Sequence, residues 1–284
     1  MTFAHPACRG ALGAVIAAVA VATVLGTTSD GSHREPVPPP GAPASREATP
    51  APVPLRALTL LGLGDSVMAG TNCGCETIPT RLARLLEHRE RRPVAATNLG
   101  TAGYTTTDVL RQLNADSSAR RAVRDADVLV LIVGANDLND ALAAWRESDC
   151  DRDCYQPRVD AMRERLASIL RLVESLRAGR PGPLLVDTYW NVFTDGDVAR
   201  SEGGEGQVSW SREVTGAANA AITEATRALG GQVVDLTEPF TRHGGDDPTP
   251  LLADDGDHPN SAGVDAIVHA NLDAIPEMRG DRPR

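Results

Sequence analysis

Short apolar runs alternate with amphipathic stretches along the chain from residue 55 onward. This alternation is typical of a parallel β-sheet covered by helices on both faces, because such strands are buried on both sides. We therefore predict the α/β class, a three-layer α/β/α sandwich around a central five-stranded parallel sheet with the flavodoxin-like order 2-1-3-4-5. The predicted strands are residues 57–63, 94–99, 128–133, 183–188 and 232–236, and the predicted helices are residues 78–92, 158–178, 210–229 and 261–275.

The first 54 residues carry a different pattern. Arg9 precedes an uncharged run, residues 11–26, that is short for a membrane span and rich in the small residues used at cleavage sites. We expect residues 1–26 to be a secretory signal peptide, with an uncleaved membrane anchor as the alternative. Residues 27–54, rich in Pro, Ser, Thr and Ala, predict an extended linker. The folded domain then covers residues 55–276, followed by a tail, residues 277–284, and the protein is expected to be secreted or extracytoplasmic.

The charge of the chain limits its partners and its chemistry. Asp and Glu number 38 against 28 basic residues, and the charges of the first 54 residues cancel, so the formal net charge of −10 belongs to the predicted domain. An acidic domain repels phosphate backbones, which argues against a nucleic-acid partner. All the basic residues are arginines. The absence of lysine excludes Schiff-base chemistry, the phosphate-binding lysine of a P-loop and Ser-x-x-Lys catalysis.

The predicted domain contains four cysteines, Cys73, Cys75, Cys150 and Cys154. An even number of cysteines in an exported chain predicts two disulfides. Strands 1 and 3 are neighbours in the predicted order, so the two cysteine-bearing loops should lie side by side. A Cys73–Cys75 bond would also close a very short, strained ring. We therefore expect bonds between the loops. A structural zinc site is the less favoured alternative, because export favours oxidation and the spacing is unusual for zinc.

Polar motifs follow three of the predicted strands and precede the last helix. They are Gly-Asp-Ser at 64–66, Asn-Leu-Gly-Thr-Ala-Gly at 98–103, Gly-Ala-Asn-Asp at 134–137 and Asp-Gly-Asp-His-Pro at 255–259. Open parallel sheets build their ligand sites at the carboxyl ends of the strands. The four motifs therefore lie where this fold places a site.

These motifs contain the parts of a serine nucleophile site. A hydroxyl such as that of Ser66 needs a base within hydrogen-bond reach, and the base needs an acceptor that orients it. His258 is the candidate base and Asp255, three residues earlier, the candidate acceptor. The backbone N–H groups of Ser66 and Gly103 and the side-chain amide of Asn136 are suitable donors to an oxyanion.

Each motif also has a purely structural interpretation. Asp65 and Ser66 alone are typical of a helix N-cap, the glycines at 100 and 103 of a tight turn, and the pair at 136–137 of another cap. An isolated Asp-x-x-His before a helix is more often a cap beside a surface imidazole than a catalytic pair. The occurrence of all four motifs in order at successive strand ends favours catalysis.

The four motifs resemble the sequence blocks of the SGNH, or GDSL-type, hydrolases, and the resemblance extends over residues 58–272. It implies that Ser66 is the nucleophile, that Gly103 and Asn136 complete the oxyanion hole, and that His258 is the base with Asp255 as its partner. It also implies the three-layer fold and hydrolysis of esters or thioesters with no metal and no cofactor. The Cys-x-Cys pair and the stretch at 189–193 are similar to those of secreted actinobacterial members, which are esterase- and lipase-like.

We therefore expect a secreted serine esterase or acylhydrolase that cleaves small or medium acyl groups from a small-molecule, lipid or glycan ester. A low aromatic content of 3% weighs against a long-chain lipase. Trp190, Phe193 and Trp210, in a segment rich in Gly and Asp, are candidates to line a substrate cleft. The alternative is that these aromatic residues pack the segment onto its own domain.

Two other functions remain open. An acyltransferase would form the same acyl-enzyme and pass the acyl group to a glycan hydroxyl. A non-catalytic envelope-binding protein would keep the fold without the chemistry. A membrane partner is expected only through an uncleaved N-terminal anchor.

Overall fold

The computed structural model describes residues 55–244 and 247–278 of the chain. Its strands are β1 (Leu58–Gly64), β2 (Val94–Gly100), β3 (Val128–Ile132), β4 (Leu184–Asp187) and β5 (Gln232–Val234). They form one sheet in the order β2-β1-β3-β4-β5, and every neighbouring pair is parallel. The predicted α/β class, the five parallel strands and their order are confirmed.

The helices pack around this sheet. In the described part of the chain the α-helices are α1 (Ser66–Ala69), α2 (Ile78–Glu90), α3 (Thr106–Ala115), α4 (Ser117–Asp125), α5 (Asn139–Ser148), α6 (Arg152–Arg177), α7 (Gly196–Ala228), α8 (Thr237–Gly244) and α9 (Ser261–Ala274), and 3₁₀ helices span Ala135–Leu138 and Thr249–Leu251. Helices α2, α6, α7 and α9 correspond to the predicted ones. The sequence pattern does not predict α3, α4, α5 or α8.

The start of α7 corrects the prediction that this helix begins at residue 210. Asp195 caps the helix, because its side chain accepts a hydrogen bond from the backbone N–H of Gly196 at 2.7 Å. The helix continues from there to Ala228 with one interruption at Gly204, where φ is +66°. Glycine-rich residues 203–206 have no amphipathic period, so the sequence resembles a loop here.

The central strands β1 and β3 form the middle of the core. All the residues of β3 are buried, and β1 is buried at every position except Thr59. β1 ends at Gly64, which pairs with Ile132 of β3 and has a φ of +145°. A Cβ atom at Gly64 would collide with the backbone oxygen of Ile132. Only glycine therefore lets the two central strands approach each other at the edge where the motifs lie.

The disulfides contradict the prediction of bonds between loops. Cys73 is bonded to Cys75, and Cys150 is bonded to Cys154, with Cα–Cα distances of 5.1 and 5.2 Å. Gly74, at a φ of +62°, lets the chain reverse between the first pair, and the second pair spans the first turn of α6. The four sulfur atoms are thus engaged with one another and are not thiolate ligands for zinc.

The predicted signal peptide or anchor, the linker and residues 279–284 of the tail lie outside the described residues. Between residues 55 and 278, leaving aside 245–246, no helix has the length and apolar character needed to cross a membrane.

Candidate active site

Ser66 lies directly beyond the carboxyl end of β1, at the first position of α1. Asp65 caps this short helix, and its Oδ1 accepts a hydrogen bond from the backbone N–H of Val67 at 3.0 Å. The N–H groups of a first helical turn have no partner within the helix, so the N–H of Ser66 is suited to donate to a substrate oxygen. A Cβ atom at Gly100 of β2 would collide with the backbone of Met68 and Ala69. Gly100, in the motif at 98–103, therefore lets α1, which carries Ser66, pack closely against β2.

Asp65 is buried, with 1% of its surface exposed. The Tyr189 hydroxyl, from the loop after β4, donates a hydrogen bond to its Oδ2. Burial raises the pKa of Asp65 to about 7, although the hydrogen bonds from Tyr189 and Val67 lower it. Burial and the neighbouring Asp65 also raise the pKa of Tyr189 well above its ordinary value. The structural interpretation of Asp65 as a cap holds, and a tyrosine that the sequence does not indicate fixes its carboxyl group.

His258 and Asp255 form a hydrogen-bonded pair on the turn that precedes α9. Nδ1 of His258 lies 2.6 Å from Oδ2 of Asp255. Oδ1 of Asp255 accepts hydrogen bonds from the backbone N–H groups of Asp257 and His258, both at 3.0 Å. Asn72, in the loop after α1, donates its side-chain N–H to Oδ2 of Asp255 at 2.5 Å. The carboxylate is thus held from the turn and from a distant loop.

The charge of Asp255 follows from these contacts. Partial burial raises the pKa of the carboxyl, but the hydrogen bonds from the His258 backbone, the Asn72 amide and the Asp257 backbone outweigh it. Together they hold the pKa of Asp255 well below its usual value. A carboxylate only accepts hydrogen bonds, so Nδ1 of His258 carries the hydrogen and Nε2 is left as the acceptor.

The start of α7 packs against this turn. The backbone oxygen of Gly256 accepts a hydrogen bond from the N–H of Asp195 at 2.7 Å. A Cβ atom at Gly256, where φ is +67°, would collide with the side chain of Val198. The backbone N–H of Ala253 donates to the oxygen of His258 at 2.8 Å and closes the turn. These contacts fix the position of His258 relative to the loop after β4.

Ser66, Asn136 and His258 line one cavity of about 110 Å³ at the carboxyl edge of the sheet. Leu142 and Phe193 contribute to the apolar part of its wall. Within residues 55–244 and 247–278, no hydrogen bond joins Ser66 to His258. The two residues line the same cavity. Catalytic hydrogen bonds often tighten only when substrate binds. The same described residues contain no group of three or more His, Cys, Asp or Glu side chains placed to hold a metal ion.

Asn136 lies on the 3₁₀ helix after β3, and its Nδ2 donates to the backbone oxygen of Tyr104 at 3.0 Å. An amide nitrogen carries two hydrogens, so one remains to face the cavity. Gly103 lies in the exposed turn after β2, with a φ of +78°, and does not line the cavity. The structure thus brings together Ser66, Asn136 and His258 in the lining of one cavity, which does not include Gly103.

Asp137 anchors the 3₁₀ helix that carries Asn136. Its carboxylate accepts hydrogen bonds from the backbone N–H and the hydroxyl of Thr106, at 2.8 and 2.6 Å, and pairs with Arg165 at 2.9 Å. The side chain of Asp137 is only 1% exposed. This network joins α3, α6 and the Asn136 segment, and the sequence gives no sign of it beyond a polar residue after Asn136.

The three aromatic residues singled out in the sequence lie near the cavity but differ in role. Trp190 and Phe193 line it. Trp210 does not, because its ring stacks behind Phe193 at 5.2 Å between centroids and its Nε1 donates to the backbone oxygen of Cys150 at 2.5 Å. All three are buried. Packing onto the domain therefore describes Trp210, whereas Trp190 and Phe193 are both packed and cavity-lining.

A buried amide that the sequence does not single out shapes the loop after β4. Oδ1 of Asn191 accepts hydrogen bonds from the Phe193 backbone N–H at 3.1 Å and from the Thr215 hydroxyl at 3.0 Å. Its Nδ2 donates to Asp195 at 3.0 Å. The loop is therefore folded around Asn191, which orients Phe193 toward the cavity wall.

The five parallel strands covered by helices define an α/β/α sandwich, and the cavity lies at the carboxyl edge of the sheet, where this class of fold places its ligand sites. The model of the GDSL-like lipase/acylhydrolase family matches residues 63–266. The chain belongs to this family, and it is a carboxylic ester hydrolase.

Solved structures share the fold at low sequence identity. A lipase from a goat rumen metagenome is 18% identical, with a TM-score of 0.64 over 76% of this chain and 97% of the other. A lipase/acylhydrolase from Enterococcus faecalis is 20% identical, with a TM-score of 0.51 over 78% of this chain and 100% of the other. An acetylxylan esterase from Geobacillus stearothermophilus is 18% identical, with a TM-score of 0.52 over 76% and 93%. No curated protein matches this chain in sequence.

Proposed function

We propose that this chain is an exported serine esterase that cleaves small acyl esters through Ser66, His258 and Asp255. The observation that carries the proposal is that His258, whose Nδ1 lies 2.6 Å from Oδ2 of Asp255, lines the same cavity as Ser66. Export is supported by the disulfides, which persist mainly in oxidising compartments.

The proposed cycle uses the free Nε2 of His258 as a general base. It removes the Ser66 proton as Oγ attacks the acyl carbonyl, and Asp255 stabilises the imidazolium that forms. The oxyanion receives hydrogen bonds from the backbone N–H group of Ser66 and from the free amide hydrogen of Asn136. Gly103, expected from the sequence as a third donor, lies outside the lining of the cavity. Collapse of the tetrahedral intermediate transfers the proton from His258 to the leaving alcohol. Water, deprotonated by the same histidine, then attacks the acyl-enzyme and releases the acid.

The size of the cavity supports a small acyl group. Its volume of about 110 Å³ is enclosed on the apolar side by Leu142, Val192 and Phe193. Pockets for drug-sized ligands measure about 300–1,000 Å³. The smaller cavity of this chain favours the short end of the acyl range expected from the sequence.

Active-site labelling tests the nucleophile directly. We expect the full-length protein to react with a fluorophosphonate probe and to hydrolyse p-nitrophenyl acetate, and we expect Ser66→Ala to do neither. Ser168→Ala, which removes another hydroxyl from the exposed face of α6, is the matched control and should retain both activities. Labelling that persists in Ser66→Ala, or a folded wild-type protein that is inert to both reagents, would contradict the proposal.

Product analysis separates hydrolysis from the alternatives. An acyltransferase would give the acetylated acceptor when an oligosaccharide is added in excess, whereas we expect free acetate under the same conditions. A non-catalytic binding protein would give neither product. For export, we expect the mature protein outside the cytoplasm of a bacterial host with a new N-terminus between residues 20 and 54.

A further inference from the structure

The side chain of Asn72 reaches the proposed triad from a loop far away in sequence. Its Nδ2 donates to Oδ2 of Asp255 at 2.5 Å, and the same oxygen lies 2.6 Å from Nδ1 of His258. Oδ1 of Asp255 is already occupied by two backbone N–H groups of its own turn. Asn72 is therefore the contact that comes to this carboxylate from outside the turn.

We propose that Asn72 is a positioning residue for Asp255 and that the adjacent Cys73–Cys75 disulfide holds Asn72 in place. The inference rests on the proposed function of Ser66, His258 and Asp255. It assigns a role to the Cys-x-Cys motif, which the catalytic cycle itself does not use.

The backbone around Asn72 supports this role. Asn72 has a φ of +57° and lies between the turns at Gly70 and Gly74, where φ is +77° and +62°. The N–H of Thr71 donates to the backbone oxygen of Ser66 at 3.0 Å, which ties the base of the loop to the nucleophile. The segment from Ser66 to Asn72 therefore carries the proposed nucleophile and also contacts Asp255, the partner of the proposed base. The disulfide begins at the next residue and restrains the far side of the loop.

The chemistry of the contact explains why an amide suits this position. An asparagine N–H stabilises a carboxylate without adding charge. Other carboxylates face the histidine: Oδ2 of Asp257 lies 3.8 Å from Nδ1 of His258, and Asp65, which precedes α1, interacts with His258 through charge. Glu202 on α7 faces Asp257. Loss of the Asn72 donor leaves the charge on Oδ2 of Asp255 less shared, which strengthens its attraction for positive charge, so the acidic limb of activity should move to higher pH.

The test is the pH dependence of kcat/KM for p-nitrophenyl acetate in the full-length protein. For Asn72→Ala we expect a fall of about tenfold, the lower end of the range seen for outer-shell partners of metal ligands, with the acidic limb of the profile moved to higher pH. Asn72→Leu, which keeps a side chain of similar size but has no hydrogen-bond donor, should move the limb in the same direction. The matched control is Asn114→Ala, because the side chain of Asn114 donates its hydrogen bond to the backbone oxygen of Leu110 in its own helix, α3. Its profile should overlay that of the wild type.

Two results have separate meanings. If the wild-type protein shows no Ser66-dependent hydrolysis, the proposed function fails. If the wild type is active and the limb stays in place in both Asn72 variants, the positioning role is wrong while the proposed function stands. A loss of rate without a moved limb has the same meaning, since a merely structural effect of Asn72 would lower the rate alone.

The disulfide is tested by its coupling to Asn72. We expect Cys73→Ser/Cys75→Ser to move the acidic limb as Asn72→Ala does, and to add nothing further when combined with Asn72→Ala. Cys150→Ser/Cys154→Ser removes the other disulfide and should leave the limb in place. Additive effects, or an unmoved limb in folded Cys73→Ser/Cys75→Ser, would overturn the role of the disulfide. If the double variant does not fold, mild reduction of Cys150→Ser/Cys154→Ser, which retains the Cys73–Cys75 bond, provides the same comparison.

Discussion

The candidate catalytic residues are held by contacts from other segments. Asp255 receives a hydrogen bond from Asn72, and Asn136 donates one to the backbone oxygen of Tyr104. Preorganised donors stabilise developing charge because little reorganisation is needed when the reaction occurs. At the scale of single residues, the site therefore depends on side chains that do not react.

Asn136 provides the clearest prediction at this scale. Asn136→Ala should lower kcat for p-nitrophenyl acetate by about a hundredfold or more, the scale of one lost oxyanion donor. KM should change little, because the lost interaction forms mainly in the transition state. Steady-state kinetics check this, with circular dichroism to verify the fold and Asn114→Ala as the control. Equal losses for both variants, or an unchanged kcat for Asn136→Ala, would remove Asn136 from the oxyanion hole.

The sequence indicates the residues that carry local motifs and omits those that reach the site from a distance. Ser66, Asp255 and His258 belong to short motifs at strand ends or before a helix, so their types and spacing mark them. Tyr189 contacts Asp65 across 124 residues of sequence, and Asn72 contacts Asp255 across 183. Such pairs have no local spacing that could reveal them. The Cys73–Cys75 bond was mispredicted for a different reason: its short ring depends on a backbone turn at Gly74, with a φ of +62°, that the cysteine spacing does not show.

At the scale of elements, burial determines what the sequence can predict. Strands such as β3 are buried on both faces and form continuous apolar runs, which mark them without reference to the fold. The helices α3, α4, α5 and α8 are only 8 to 10 residues long, so each shows no more than two or three turns of a pattern. The sequence therefore predicts the sheet that positions the site better than the helices that enclose it.

Helix α5 provides one wall of the cavity through Leu142. Leu142→Ala should raise the ratio of kcat/KM for p-nitrophenyl butyrate over acetate by roughly tenfold, because each methylene group in an apolar pocket is worth about 1–3 kcal/mol. The ratio is measured directly from the two substrates. Leu172→Ala, a partly buried leucine on α6 away from the cavity, should leave it unchanged. A constant ratio in Leu142→Ala would show that the acyl chain lies elsewhere.

The network around Asp137 joins three helical segments at the site. Asp137→Ala should destabilise the protein by about 2 kcal/mol, because the backbone N–H and the hydroxyl hydrogen of buried Thr106 lose their acceptor and Arg165 loses its carboxylate. Urea unfolding at neutral pH measures this loss. Asp140→Ala, which removes an exposed carboxylate from the first turn of α5, should cost far less. Similar losses for the two variants would argue against a structural network at Asp137.

At the scale of the whole molecule, buried and paired carboxylates determine how stability changes with pH. Burial raises the pKa of Asp65 and Asp187 to about 7, opposed by hydrogen bonds that include that from Asn271 to Asp187. Asp127 behaves in the opposite way: burial raises its pKa, but hydrogen bonds from Arg56, Thr59 and Arg180 hold it well below its usual value. Stability from Asp127 is present above the unfolded pKa and is lost as pH falls through the folded one.

Asp65 and Asp187, the carboxyl groups with raised pKa values, affect stability at higher pH than Asp127 does. Between pH 4 and 7 the folded protein holds the protons of Asp65 and Asp187 while the unfolded chain has released them, so the free energy of unfolding falls as pH rises. Between pH 5 and 8, the free energy of unfolding of Asp187→Asn should fall by on the order of 2 kcal/mol less than that of the wild type, because the amide does not titrate. Urea unfolding at both pH values tests it. Asp273→Asn, an exposed change on α9, should retain the wild-type slope, and parallel curves for all three proteins would contradict the prediction.

The two disulfides join cysteines only two and four positions apart. The entropic cost of bringing two thiols together grows with the length of chain between them, so each cysteine meets its native partner far more often than one from the other loop. Both bonds can therefore form in the unfolded polypeptide, before the sheet assembles. Oxidative refolding from denaturant should proceed without shuffling of mispaired bonds and without a disulfide isomerase.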